Sequence, residues 1–302
     1  MSGRGRILCK EHDATAGDGI AAVESPAWWS CGAPIRGVIR PMDDVMRSIQ
    51  EGDYRRAFDA LQRTPEARTM VGIASGALLL ALVERFDDAE RLLAGASLPS
   101  IAMIVRGERD RAARVRDPRA AGSLASAIQL PFLGIYARMA TALLQRDQAF
   151  AERIKQDAAA LVRPVPGRLH LAGGDVRPFR DLADSDDAIG QMLETYCGNG
   201  LLYFPFAALR RIDFLPKTNF MDVLMPRVQI VDLQGQTAMA FVPMLYAGSA
   251  LSEDPYTRNG RMTMFEYVGR ARRGRGQRDF VVDGGTLIGI QHVTAIELGR
   301  GA

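Results

Sequence analysis

Apolar residues recur every three to four positions from residue 42 to about 162, the period of helices that bury one face. Val45, Met46 and Ile49 form one stripe, and Tyr54, Ala57, Phe58 and Leu61 form the next, with Gly52 between them. Thr64 followed by Pro65 has the chemistry of a helix start and predicts a third helix. The run "VGIASGALLLALV", 71–83, is apolar all round, so it reads as a buried helix; it is too short to span a bilayer and holds two glycines. Phe86, Ala89, Leu92 and Leu93 mark a fourth helix. Pro99 opens a fifth that ends near 116–118. A longer pattern over 122–145 is expected to kink at Pro131, and "DQAFAERIKQDAAALV" closes the series.

Two of these helices echo each other. Tyr54, Ala57 and Leu61 recur as Phe86, Ala89 and Leu93, an offset of 32 residues, close to the roughly 34 of tetratricopeptide helix pairs. The small alanine lets paired helices approach closely, and a stack of such pairs leaves a concave groove suited to a peptide.

"RPVPGRLHLAGGDVRPFRDL", 163–182, is rich in proline and glycine and reads as a connector between domains. "DSDDAIGQMLETYC", 184–197, then places Ile189, Met192, Leu193 and Tyr196 on one stripe, predicting a short helix capped by Asp184 or Ser185. After Gly198 the period changes to two. "LLYFPFAALRRIDFL" predicts strand, bend and strand; "RVQIVDLQGQTAMAFVPMLY" a hairpin turning at Gln234-Gly235; "TMFEYV" a strand; "DFVVDGGTLIGIQHVTAIEL" a hairpin turning at Asp283-Gly284-Gly285. The expected fold is therefore multidomain α+β. A tetratricopeptide-like helical domain, 42–162, precedes a mainly antiparallel β domain with a short helix, 163–302. Residues 1–41 show neither period and read as a disordered leader, a start codon placed too early with Met42 as the true start, or a short docking segment around Trp28 and Trp29.

Composition narrows the function. With 47% hydrophobic and 24% charged residues the chain has an ordinary soluble balance, and its net charge of +3 is too small for a dedicated nucleic-acid binder. Basic charge is concentrated locally in "YVGRARRGRGQRDF", where Arg270, Arg272, Arg273, Arg275 and Arg278 fall within nine positions. That run is read as a solvated loop, with an acidic protein partner and a nucleic-acid grip as the alternatives. Three cysteines, Cys9, Cys31 and Cys197, make no zinc-like pair and no disulfide framework; they fit a reducing, cytoplasmic setting with Cys197 buried as a small apolar residue. No signal segment follows the basic residues near the N-terminus.

A search for chemistry finds no Walker loop, HExxH, CxxC or GxSxG pattern. Ser75 lies in the apolar run. His12, His170 and His292 have no second histidine at metal-binding spacing. Helix capping explains "DSDD" with fewer assumptions than a bound cation. The reading is a protein with no catalytic, cofactor or metal residues; a polar pocket holding His292 or Asp222 with another titratable group would reopen an enzymatic one.

In order along the second half stand "PVPGR", "DLADSDDAIGQMLE", "LLYFPFAALRRIDF", "FMDVLMPRVQIVDLQG", "FVPMLYAGS", "RNGRMT" and "GRGQRDFVV". This series resembles the ImpE/TagJ (SciE-type) family of type VI secretion accessory proteins. The residues that carry the likeness are Tyr203, Pro205 and Phe206; Asp222, Val223, Leu224 and Pro226; Pro243, Tyr246, Gly248 and Ser249; and Gly274, Gly276, Gln277 and Arg278. It covers 163–298 well and 42–162 loosely, and departs from the family in the extra arginines at 270–275. The resemblance implies a cytoplasmic, non-enzymatic adaptor that binds the small contractile-sheath subunit (TssB/VipA type) and influences how the unfoldase ClpV handles it. A helix of that subunit is expected in the superhelical groove of 42–162. The alternative function is a nucleic-acid-binding regulator using the Arg270–Arg278 loop. Gln277 and Arg278 are expected to face inward and anchor the turn by hydrogen bonds.

Overall fold

The computed structural model describes residues 41–126, 128–218 and 221–299. The leader readings for 1–41 concern residues that lie, up to residue 40, outside this description.

Eight α-helices come first: α1 (Pro41–Gln50), α2 (Tyr54–Gln62), α3 (Met70–Leu82), α4 (Phe86–Leu93), α5 (Pro99–Arg114), α6 (Pro118–Ala121), α7 (Leu133–Gln145) and α8 (Gln148–Leu161). Each packs on the next, as in tetratricopeptide arrays. The predicted echo falls on α2 and α4, both packed on α3, with Ala57 and Ala89 fully buried at the close approaches. Asp53 starts α2 by accepting from the Arg56 N–H, and Asp147 starts α8 by accepting from Phe150. Two expectations change. Pro65 opens a 3-10 turn, Pro65–Arg68, and the helix proper begins after Thr69, whose hydroxyl accepts from Gly72 N. The long pattern at 122–145 divides: α7 begins after Pro131, and part of the stretch before it runs beside the sheet.

The rest is β-rich. β1 (Gly167–Leu171) and β2 (Val176–Phe179) form a hairpin inside the supposed connector, its turn made by Gly173 and Gly174. β3 (Leu182–Asp184), β4 (Met192–Cys197), β5 (Gly200–Pro205) and β6 (Leu209–Phe214) follow. Then come α9 (Met221–Leu224), β7 (Arg227–Asp232), β8 (Thr237–Phe241), α10 (Pro255–Arg258), β9 (Thr263–Val268), β10 (Ala271–Gly276), β11 (Asp279–Val282), β12 (Thr286–Gly289) and β13 (Val293–Leu298). The main sheet has the order β2-β1-β13-β6-β7-β8-β4-β5, all neighbours antiparallel. β12-β11-β3 form a second sheet and β9-β10 a two-stranded ribbon. Both predicted hairpins, β7–β8 and β11–β12, turn where expected.

The predicted short helix at 184–197 is instead β3, a turn and β4. Every residue of Met192–Tyr196 is buried, because β4 is covered on both faces. Met192 and Tyr196 join the helical core, while Leu193 joins the core between the two larger sheets. A strand buried on both sides loses its polar alternation, so its apolar positions mimic a helical stripe. The aspartates ahead of it hold backbone of the loop: Asp184 accepts from Asp186 N, and Asp186 from Ala188 N. The short α-helices described in this half are α9 and α10.

Helix α5 lies on β4 and β5 and joins the two halves. Gly107 permits this contact, since a Cβ there would overlap the Tyr196 ring. Both outer strands of the main sheet are protected. β2 carries Pro178, which has no N–H to offer. β5 is covered by α5 and by a parallel bridge between Tyr203 and Ser126. Among the described residues no helix is long and apolar enough to cross a membrane.

Candidate functional site

The arginine run is a strand. β10 pairs with β9 in register from Ala271↔Val268 to Gly276↔Thr263, which corrects the solvated-loop reading. Arg270 is exposed, but Arg272, Arg273 and Arg275 are half-buried. Arg272 Nε donates to the Ser185 carbonyl at 2.8 Å, and its guanidinium lies 4.9 Å from the Phe265 ring centre. Arg273 donates to the Val115 carbonyl at 3.4 Å. Arg275 donates to Glu266 at 3.1 Å and to the Ala247 carbonyl at 3.2 Å. These side chains fasten neighbouring segments; Arg275 is paired with Glu266, while Arg272 keeps its terminal nitrogens free of a carboxylate among the described residues.

Arg278 goes furthest inward, with 0% exposure. It donates to a Glu194 carboxylate oxygen, and its guanidinium sits 5.5 Å from the Tyr246 ring centre. From α5, Arg111 Nε donates to the same Glu194 oxygen at 2.7 Å and Nη1 donates to Glu108 at 3.1 Å. Tyr203 donates to the other Glu194 oxygen at 2.6 Å, and Tyr196 donates to Glu108. Tyr246 donates to Asp184 at 2.8 Å. Ser249 Oγ accepts from Gly276 N at 2.8 Å, and Tyr246 N donates to the Gly276 carbonyl. Three separate stretches of the family pattern, at Tyr203, Tyr246–Ser249 and Gly276–Arg278, thus converge on one buried ion cluster. Phe206 and Phe280 meet edge to face nearby, 6.0 Å apart.

Charge balance sets the protonation here. Burial alone would raise the Glu194 carboxyl, but Arg111 and Arg278 override it and hold it at about 2. The two guanidinium groups are matched by Glu108 and Glu194, which leaves Asp184 surplus; its carboxyl lies 3.6 Å from Arg278 Nε. Burial pushes Asp184 up to about 7 despite the pull of Arg278. A carboxyl whose folded value lies above its unfolded one, about 3.9, adds stability below that unfolded value and loses it as pH rises through 7. Glu194 has the opposite sign: its contribution is present above about pH 4 and lost as pH falls toward 2. Asp184→Asn should therefore gain stability relative to the parent between pH 5 and pH 8, by at most about 1.4 kcal/mol per pH unit. Urea midpoints across that range will read it; parallel curves would mean that Asp184 is ionised throughout.

Beside the cluster lies an apolar groove of about 840 Å³. Met46 and Ile49 of α1 form one wall; Leu215, Pro216, Val223, Leu224 and Pro226 form another; Gln277 and Ile290 lie deeper. Its frame is tied together. Tyr54 donates to the Arg258 carbonyl at 3.0 Å, and Asn259 donates to the Gln50 carbonyl at 3.3 Å. Buried Asp222 accepts from Thr218 N at 2.7 Å and from Arg227 Nε at 3.0 Å, fixing α9 against the segment after β6. Val242 N donates to the Pro226 carbonyl, which seats the start of β7 against the end of β8 and the following Pro243. Gly248 takes φ +75° in the turn that returns Ser249 to the cluster.

The groove is not where the sequence put it. It lies between α1–α2 and the β-rich half, and α3 to α8 contribute nothing to its lining. The one available signal was the wide stripe Val45, Met46 and Ile49. Val45 and Ile49 fill the core, while Met46 stays half-exposed on the groove. Cys197 is half-buried, its Sγ 3.5 Å from the Met239 carbonyl. Among the described residues no group of three or more His, Cys, Asp or Glu could hold a metal ion.

Stacked helical hairpins closed onto an antiparallel β unit by a buried ion cluster, with an apolar groove at the junction, define a helical-repeat protein of α+β class. Residues 176–297 match the family model described as ImpE protein, and the resemblance drawn from the motifs is borne out there. The chain is 28% identical over 135 residues to the type VI secretion system accessory component TagJ of Pseudomonas aeruginosa. That match covers 45% of each protein, so the chain spans less than half the length of this relative. The crystal structure of protein VPA1032 from Vibrio parahaemolyticus superposes with a TM-score of 0.69 at 16% identity, covering 85% of this chain and 97% of that one. That likeness bears out the fold.

Proposed function

We propose that the protein is a cytoplasmic accessory component of a bacterial type VI secretion system, acting by binding and not by turnover. Its groove receives an amphipathic helix of the small contractile-sheath subunit (TssB/VipA type) and thereby governs how ClpV engages the sheath. The observation that carries this reading is the groove itself. It is apolar, within the size range of ligand-binding clefts, and walled by the family-pattern residues Val223, Leu224, Pro226 and Gln277. An amphipathic helix presents apolar anchors at i, i+3 or i+4, and i+7, the complement of such a surface. The name of the Pseudomonas relative supports the system. The arginine strand favours no nucleic-acid reading, since three of its side chains are engaged within the protein.

Titration of the full chain with the cognate sheath subunit tests this. Met46→Glu and Val223→Glu, both half-exposed in the groove, should each weaken binding by about 2 kcal/mol, roughly thirtyfold. Leu233→Glu, at the exposed β7–β8 turn, should leave it unchanged. Melting curves will show that the variants remain folded. Unaltered affinity in both groove variants would reject the groove as the docking site.

A further inference from the structure

A second cavity, about 320 Å³, lies between α7, α8 and the β3–β11 pair, away from the groove. One side is aliphatic, built by Ile135, Met139 and Val162, and the other carries Gln191, Asp181 and Arg272. Gln191 is 6% exposed. Its Nε2 donates to Asp181 Oδ1 at 2.6 Å, which fixes the orientation of the amide. Its Oε1 is left without a hydrogen-bond partner among the described residues. A buried acceptor without a donor costs about 1–3 kcal/mol, so such groups are retained where something else satisfies them.

The neighbouring charges are also unmatched. Asp181 Oδ1 accepts from Val165 N, Leu182 N and Gln191, so its bonds within the protein all fall on one oxygen. Burial raises the Asp181 carboxyl, as expected of a carboxylate with no cation beside it. Arg272 uses its backbone N–H on Asp187 and its Nε on Ser185, but its terminal nitrogens meet no carboxylate among the described residues. Lys155, on the rim, is already paired with Asp187 at 3.0 Å. One cavity therefore holds a guanidinium with no carboxylate partner, a carboxylate with no cation beside it and an amide acceptor next to that carboxylate, and an aliphatic wall.

We propose that this cavity binds a free α-amino acid with an aliphatic side chain. The ammonium group donates to Gln191 Oε1 and Asp181, the carboxylate accepts from Arg272, and the side chain packs on the wall from α7 and α8. A simple amine would leave the guanidinium unmatched, and a simple carboxylate would leave Gln191 and Asp181 so. The volume suits a residue of leucine or methionine size and is too small for a helix. The site is thus separate from the proposed sheath interaction.

Calorimetric titration of the full chain with L-leucine tests this, alongside isoamylamine, which lacks the carboxylate, and 4-methylpentanoate, which lacks the amine. Leucine should bind, and each truncated compound should bind at least about tenfold more weakly, the scale of one lost charge-assisted hydrogen bond. Asp181→Asn keeps the Oδ1 acceptor used within the protein. It should weaken leucine by about the same factor while leaving 4-methylpentanoate unaffected, a selectivity that general loosening would not produce. If neither leucine nor methionine gives heat or raises the melting temperature up to about 10 mM, where a Kd near 1 mM would be saturated, the proposal is wrong. Equal affinity for leucine and its truncated forms would also overturn it.

Discussion

Glu194→Leu should lower the unfolding free energy by about 3–5 kcal/mol, the scale of a buried ion pair broken from one side. Glu194 is 4% exposed and is the shared partner of Arg111 and Arg278, which are 3% and 0% exposed. Leucine would fill much of the space but leave two guanidinium groups short of a counter-charge in low dielectric. Arginine cannot escape by losing its proton, so the penalty falls on the fold itself. Glu194→Gln keeps an acceptor for the Tyr203 hydroxyl and should fall between the parent and leucine. Because Arg111 belongs to α5 and Glu194 to β4, the loss should appear in one cooperative transition that includes both halves. Urea unfolding read by far-UV circular dichroism and by tryptophan-independent near-UV signals will decide. A change below about 1 kcal/mol, typical of exposed pairs, would show that water reaches the cluster.

The second large effect is expected at Gly276. This residue has φ +87°, where side chains are strained, and a Cβ would overlap the Met262 carbonyl oxygen, a backbone atom with no rotamer to change. Gly276 also donates to Ser249 Oγ and accepts from Tyr246 N. Alanine must therefore move the β9–β10 ribbon or the turn beneath it, and a loss of about 3 kcal/mol is expected from strain and overlap together. Gly174→Ala supplies the comparison. It has φ +94° but open space around it, so only the local strain of about 1 kcal/mol remains. Equal melting temperatures for the two variants would remove steric overlap as the cause.

What could be read from the chain follows from where polar residues fall. β7 and β8 alternate, turn at Gln234-Gly235 and were placed correctly; the echo of α2 in α4 was visible because Ala57 and Ala89 need small side chains at helix crossings. β4 failed because burial on both faces erases alternation. β10 failed for the opposite reason: arginine and glycine carry no hydrophobic period, and the strand is held by its ribbon partner and by Tyr246, against whose ring a Cβ at Gly274 would press. Inward burial of Gln277 and Arg278 was foreseen, at 8% and 0% exposure. The meeting of Arg278 and Arg111 on Glu194 was not, because these partners lie 84 and 83 positions from it in sequence, a distance local pattern cannot relate. Gln191 gave no warning at all, since an orphaned amide oxygen is a property of the packed structure.

The two flanks of the main sheet constrain how this molecule can associate. Proline at one flank and a helix with its bridging loop at the other hinder extension of that sheet by a foreign backbone. Strand addition, the sequence-tolerant way to join two chains, is therefore disfavoured at that sheet. Such a molecule can stand among the many copies of a repeating assembly and still select its contact by side-chain shape.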